Sequence, residues 1–192
     1  MSVIIGLGNP GQTFHGTRHN VGFAVLQRVA ERHQVNLAQR RLDQAGRPAG
    51  VMGQYQEGQA VVQLLMPLTM MNESGDALRG LEAPPSELLI VCDDINLPLG
   101  TLRLRPEGSA GGHHGLQSCL EALGTERVPR LRLGVGGTDM PRDVRDYVLA
   151  PFASRERPLM KQMIEQAADA CETWVKEGVT VAMNRYNKVQ DA

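Results

Sequence analysis

A chain of 192 residues, 42% hydrophobic and 21% charged, is long enough to bury one sizeable core and too short for several ordinary domains. No apolar run reaches about 18 residues, which excludes a membrane-spanning helix, and the N-terminus lacks the basic and apolar regions of a signal peptide, which predicts a cytoplasmic protein. The net charge of −1 excludes a partner held by a global basic field, so any nucleic-acid contact must be local.

In chain order, "SVIIGL" reads as a strand buried on both faces. "VGFAVLQRVAERHQV" reads as a helix with Val21, Val25, Val29 and Ala30 on one stripe. The Gly- and Gln-rich "LDQAGRPAGVMGQYQEGQ" predicts loops with weak edge strands, and "AVVQLLMP" a strand. "NESGDALRGL" predicts a short helix with Asn72 near its start, and "ELLIVCDD" a buried strand that ends in two carboxylates. "TLRLRPEG" and "RLRLGVGG" read as strands, separated by the flexible loop "GSAGGHHG" and a helix over "LQSCLEALG" that Gly124 stops. A long helix runs from about residue 154 to 176, with Gly178 ending it. The alternation predicts one α/β domain over residues 1–192: a mixed twisted sheet flanked by helices, with a helical C-terminal segment. Cys92, Cys119 and Cys171 form no CxxC pair, and their apolar contexts predict buried free thiols.

Apart from Lys161, Lys176 and Lys188, every basic residue is arginine. Arg103 and Arg105 lie two apart, as do Arg130 and Arg132, so each strand would present a pair of guanidiniums on one face. Spacing alone leaves two readings open: solvated strand faces, or bidentate contacts with phosphate.

Residues 6–11, "GLGNPG", spell the dinucleotide fingerprint G-x-G-x-x-G. That fingerprint needs a helix starting inside the glycine stretch. Here "QTFHGTRHN" follows without apolar periodicity, Pro10 keeps Asn9 out of the helical region, and Glu31, near the required acidic position, lies inside a helical pattern. The glycines therefore read as a tight exit from the strand, at the sheet edge where α/β proteins place ligands. Asn9, Asp93 and Asp94 leave strands at that edge, Asn72 lies near a helix start, and if the strands are neighbours these residues converge with the histidines of "GTRHN" and "GGHHG". A histidine held by a carboxylate can serve as a general base toward water, and amides can hold peptide groups or an oxyanion. No G-x-S-x-G elbow supports a serine hydrolase, and no HxH spacing supports a metal site.

"GLGNPGQTFHGTRHNVGF", "MPLTMMNESG", "VCDDINLPLGTLRLRPEGSAGGHHG" and "RLRLGVGG", in this order and spacing, resemble the signature blocks of bacterial peptidyl-tRNA hydrolase. The resemblance runs from residue 3 to near the C-terminus. It implies a single α/β domain, usually monomeric, that cleaves the ester joining a peptide to tRNA without metal or cofactor. It implies that His19 activates water and Asp93 orients it. Asn9 and Asn72 would line the peptide channel, with Met71 packed beside Asn72. Arg105 and Arg132 would clamp tRNA phosphate.

Three positions depart from the family pattern. Phe14 stands where a tyrosine is usual, Asn96 replaces an aspartate, and His114 replaces an asparagine of the site loop. An imidazole brings one donor and one acceptor where the amide brought two donors and an acceptor oxygen, so His114 changes substrate handling while leaving the His19/Asp93 pair in place. Two rival readings are a non-catalytic RNA-binding relative and a nicotinamide-dependent oxidoreductase. The retained site residues argue against the first, and the failed fingerprint against the second.

Overall fold

Valine and isoleucine fill the first strand, β1 (Ser2–Gly6), because both of its faces are covered. Ile4 joins an apolar cluster on one side of the sheet, and Val3 and Ile5 join another on the opposite side. The computed structural model describes residues 1–137 and 144–187. After β1 come α1 (Val21–Arg32), β2 (Gln39–Leu42), β3 (Pro48–Glu57), β4 (Ala60–Pro67), β5 (Leu88–Pro98) and β6 (Leu102–Arg105). Then follow α2 (His114–Leu123), β7 (Arg130–Gly136), α3 (Val144–Leu149) and α4 (Arg157–Tyr186).

The strands form one sheet in the order β2-β3-β4-β1-β5-β7-β6. Its centre, β4-β1-β5-β7, is parallel, while β3 and β2 extend one edge and β6 the other in antiparallel pairing. This is the mixed sheet with flanking helices that the alternation predicts. Helices α1 and α4 cover one face, and α2 with the 3-10 turn Met71–Ala77 covers the other. The chain leaves β1 toward the α1 face but leaves β4 toward the α2 face, into the 3-10 turn at Met71. The C-terminal ends of the parallel strands therefore open into a crevice.

Several elements differ from the sequence reading. The Gly- and Gln-rich stretch contains a full strand, β3, paired with β4 from Gly50↔Pro67 to Glu57↔Ala60. Its glycines are packing positions: a Cβ on Gly53 would sit 2.4 Å from Val35. Strand β5 runs past Asp93 and Asp94 to Pro98, with a register shift against β7 after Asp94. Both carboxylates thus lie inside a strand rather than at its end. The helix expected around Asn72 is a 3-10 turn, with Asn72 at its second residue. Gly178 breaks α4 (φ 84°) but does not end it, since the helix resumes to Tyr186 and buries Ala182 in the core. All three cysteines are buried and free, and burial pushes their thiols up.

Candidate active site

The glycine spelling after β1 serves packing. No helix starts within it: the chain passes through 3-10 turns at Gln12–Phe14 and Arg18–Asn20 before α1 begins. A Cβ on Gly6 would lie 2.4 Å from the Gly22 carbonyl, and one on Gly8 would lie 2.6 Å from the Phe23 ring. Both glycines let the strand exit press against α1, which leaves Asn9 at the crevice. There Asn9 is buried and fixed from two sides. Its backbone N–H donates to Asn20 Oδ1 and its carbonyl accepts from Asn20 Nδ2, both at 2.9 Å. Its side-chain Oδ1 accepts from the backbone N–H of Met71 at 2.8 Å. That bond orients the amide and leaves Nδ2 as a donor at the cavity wall.

His19 lies in the turn between Asn9 and α1, with Nδ1 at 2.8 Å from Asp93 Oδ1. The same oxygen lies 2.9 Å from Nε2 of His113. The proton positions follow from a third bond: Leu116 N–H donates to His113 Nδ1 at 3.0 Å, capping α2. His113 therefore carries its proton on Nε2 and gives it to Asp93. An ionised Asp93 accepts from both imidazoles, so His19 donates through Nδ1 and keeps the lone pair of Nε2. Asp93 is 2% exposed. Burial alone would raise its carboxyl, but attraction and hydrogen bonds from His113 and His19 outweigh burial and hold it well below the usual carboxylate range.

His19, Asp93 and His113 bring three ligand-type atoms within 4.8 Å of one another. The donor set does not suit a metal. A cation on His113 Nε2 would require the proton to sit on Nδ1, against the Leu116 N–H that already points there.

A cavity of about 720 Å³ opens over this cluster. The predicted residues Asn9, Phe14, His19, Met71, Asn72, Asp93, His114 and Arg132 all line it, as does Asn96. Met71 is buried, and its sulfur fills the space that a Cβ on Gly115 would need. Asn72 and His114 are exposed at the wall. Arg105 is not part of the lining: it is exposed on the edge strand β6. Strand pairing sets Arg103 opposite Arg132 and Arg105 opposite Arg130, on one face of the sheet.

Arg130 overturns the expectation of two matched arginine pairs on a solvated or phosphate-binding face. It is 2% exposed. Its guanidinium donates to four backbone carbonyls: Val128 (2.7 Å), Gly108 (2.6 Å), Ser109 (3.2 Å) and Glu126 (3.1 Å). It holds from beneath the loop that leads to His113. Arg132 forms an ion pair with Asp94, Nε to Oδ2 at 3.1 Å. The sequence reading set His113 at the crevice without giving it a role and missed Asn20 altogether. His113 occupies the position just before the apolar stripe of α2, where a side-chain acceptor caps a helix, and that placement was its one legible signal.

A family model described as peptidyl-tRNA hydrolase matches residues 3–192. The chain is 44% identical to the peptidyl-tRNA hydrolase of Syntrophomonas wolfei, covering 97% of this chain and 100% of that protein. It is 43% identical to that of a Roseiflexus species, covering 97% and 86%. The crystal structure of peptidyl-tRNA hydrolase from Acinetobacter baumannii superposes with a TM-score of 0.87 at 31% identity, covering 100% of this chain and 97% of that one.

Proposed function

Because this chain belongs to the peptidyl-tRNA hydrolase family and hydrolyses the ester between peptide and tRNA, we propose that His19 is the base of that reaction and Asp93 its support. The observation that carries this reading is the 2.8 Å contact from His19 Nδ1 to a buried carboxylate, which leaves Nε2 for water at the cavity. Nε2 takes a proton from water as the oxygen attacks the ester carbonyl. The imidazolium so formed is balanced by Asp93, and its proton then goes to the departing ribose oxygen. Asn9 Nδ2 and the Asn72 amide supply donors toward the peptide and the developing oxyanion. Phe14 and Met71 give the channel apolar surface.

His114 sits at the same wall, where its ring meets substrate or the attacking water. Arg132 lies at the wall and Arg103 and Arg105 beyond it, so these three would follow the tRNA phosphates out of the cavity. In this reading the protein acts as a monomer on peptidyl-tRNA, in the cytoplasm where that substrate arises.

His19→Ala should lower kcat by roughly 10²–10⁴-fold in a peptide-release assay while tRNA affinity stays near wild type. Asp93→Asn should also slow release, since an amide accepts the hydrogen bond but does not balance an imidazolium. Near wild-type turnover in His19→Ala overturns the mechanism.

A further inference from the structure

Arg18, His19 and Asn20 form one 3-10 turn, and the outer two residues hold parts of the cavity that the middle one faces. Asn20 fixes Asn9 on one side. Arg18 reaches the other side, across more than 130 positions of sequence. Its guanidinium donates through Nη1 to the Pro151 carbonyl (2.7 Å) and more distantly to that of Ala150 (3.4 Å), and through Nη2 to Glu156 (2.6 Å). Its central carbon lies 4.3 Å from the centre of the Tyr147 ring and 4.9 Å from that of Phe152. The backbone joins in: Arg18 N–H donates to the Ala150 carbonyl at 3.1 Å, and Thr17 bridges Pro151.

Every one of these partners belongs to α3 or to the segment leading from it to α4. Among the described residues α3 spans six, of which only Val148 is buried. One buried side chain and one hydrogen bond to the sheet, from the Tyr147 hydroxyl to the Val135 carbonyl at 2.8 Å, hold little of this stretch in place. Yet Val144, Val148 and Leu149 form part of the cavity wall. Arg18 is itself 6% exposed. Taking a guanidinium out of water is unfavourable unless its donors are used well, and an apolar side chain would fill the same space without that penalty. What an arginine adds is its rigid fork, which ties two carbonyls and a carboxylate to one point next to His19.

We propose that Arg18 is a positioning residue for substrate binding: it sets α3 as a wall at a fixed place relative to His19, without taking part in proton transfer. The inference rests on the hydrolase reading above. Turnover by the wild type and its loss in His19→Ala test that reading, whereas the Arg18 variants test only the wall.

Arg18→Lys, Arg18→Gln and Glu156→Gln would be compared on peptidyl-tRNA for kcat, KM and pH profile, with hydrogen exchange measured over residues 144–156. KM should rise by roughly 3- to 30-fold, the range for side chains that bias a site without touching its ligand. The lysine variant should be affected less than the glutamine one, because it keeps the charge facing Glu156. The value of kcat should stay within about twofold, the pH profile should not move, and the amides of α3 should exchange faster. A fall in kcat at constant KM, or a displaced pH profile, overturns the proposal by showing that Arg18 acts through His19. Faster exchange with an unchanged KM also overturns it, because α3 would then be no part of substrate binding. If the Arg18 variants do not fold, Glu156→Gln carries the same test, and an unchanged KM in that variant overturns the proposal.

Discussion

Two imidazoles converge on one oxygen of Asp93, and this makes the acid stability of the protein depend on that residue. Its carboxyl is depressed in the folded state, while the unfolded chain has the ordinary value of 3.8. Above that value Asp93 is ionised in both states and contributes its full stabilisation. Below it the unfolded chain binds a proton that the folded protein refuses, so the contribution is lost as pH falls toward the folded-state pKa. Within that window each pH unit removes at most about 1.4 kcal/mol. Urea unfolding of Asp93→Asn should therefore show a shallower loss of stability than wild type between about pH 4 and pH 3. Equal slopes would mean that the carboxyl titrates alike in both states.

Strand β7 carries two arginines on one face with opposite fates, and the difference comes from neighbouring elements. Beneath the loop after β6, Arg130 meets only carbonyls, and burial lowers its pKa. Two residues on, Arg132 meets Asp94 and the cavity. Arg130→Met removes a donor set that four carbonyls share, and should destabilise the protein by about 2–4 kcal/mol in denaturant titration. Arg132→Met leaves the buried Asp94 carboxylate without its cation and should cost about 1–3 kcal/mol in the same measurement, much of which Asp94→Asn in the same chain should restore. Failure of Asp94→Asn to restore stability to Arg132→Met would overturn this division of roles. A different kind of charge contact joins α1 to α4. There Arg32 meets Glu165 and Asp169 at 2.7 Å each and Glu172 at 3.3 Å, fastening the C-terminal helix at the surface.

At the scale of the whole molecule, a net charge of −1 is compatible with a polyanionic substrate because the arginines are gathered rather than numerous. Pairing of β6 with β7 puts Arg103, Arg105 and Arg132 on one face, with Arg132 at the cavity, while Arg28 and Arg32 of α1 and Arg185 of α4 are held in ion pairs. Arg105→Ala should weaken peptidyl-tRNA binding and reduce its logarithmic salt slope by about one phosphate contact. It should leave hydrolysis of a minimal ester without the tRNA body unchanged. An unaltered salt slope would remove Arg105 from the tRNA path.

The sequence by itself determined the class of fold and most of the residues that gather at its edge. Buried strands such as β1 and β5 announce themselves as apolar runs, and the α1 stripe by its helical period, because these patterns arise from burial along a single element. His19, Asp93, Asn9 and Asn72 are legible from their places beside such elements, although Asp93 proves to lie inside β5, and the resemblance suggests the roles proposed for them. The tertiary structure alone decided what depends on pairs distant in the chain. Arg130 and Arg132 are indistinguishable by spacing, yet one lies under a loop and the other beside an aspartate. Composition hid β3, since its partners are the backbone groups of β4. His113 shares an oxygen with His19 only because β5 sets Asp93 between the N-terminus of α2 and the turn before α1. Arg18 meets Glu156 only when the chain has closed. Hydrogen bonds and ion pairs need atoms within about 3 Å, and that proximity is a property of the folded chain, not of any segment read alone.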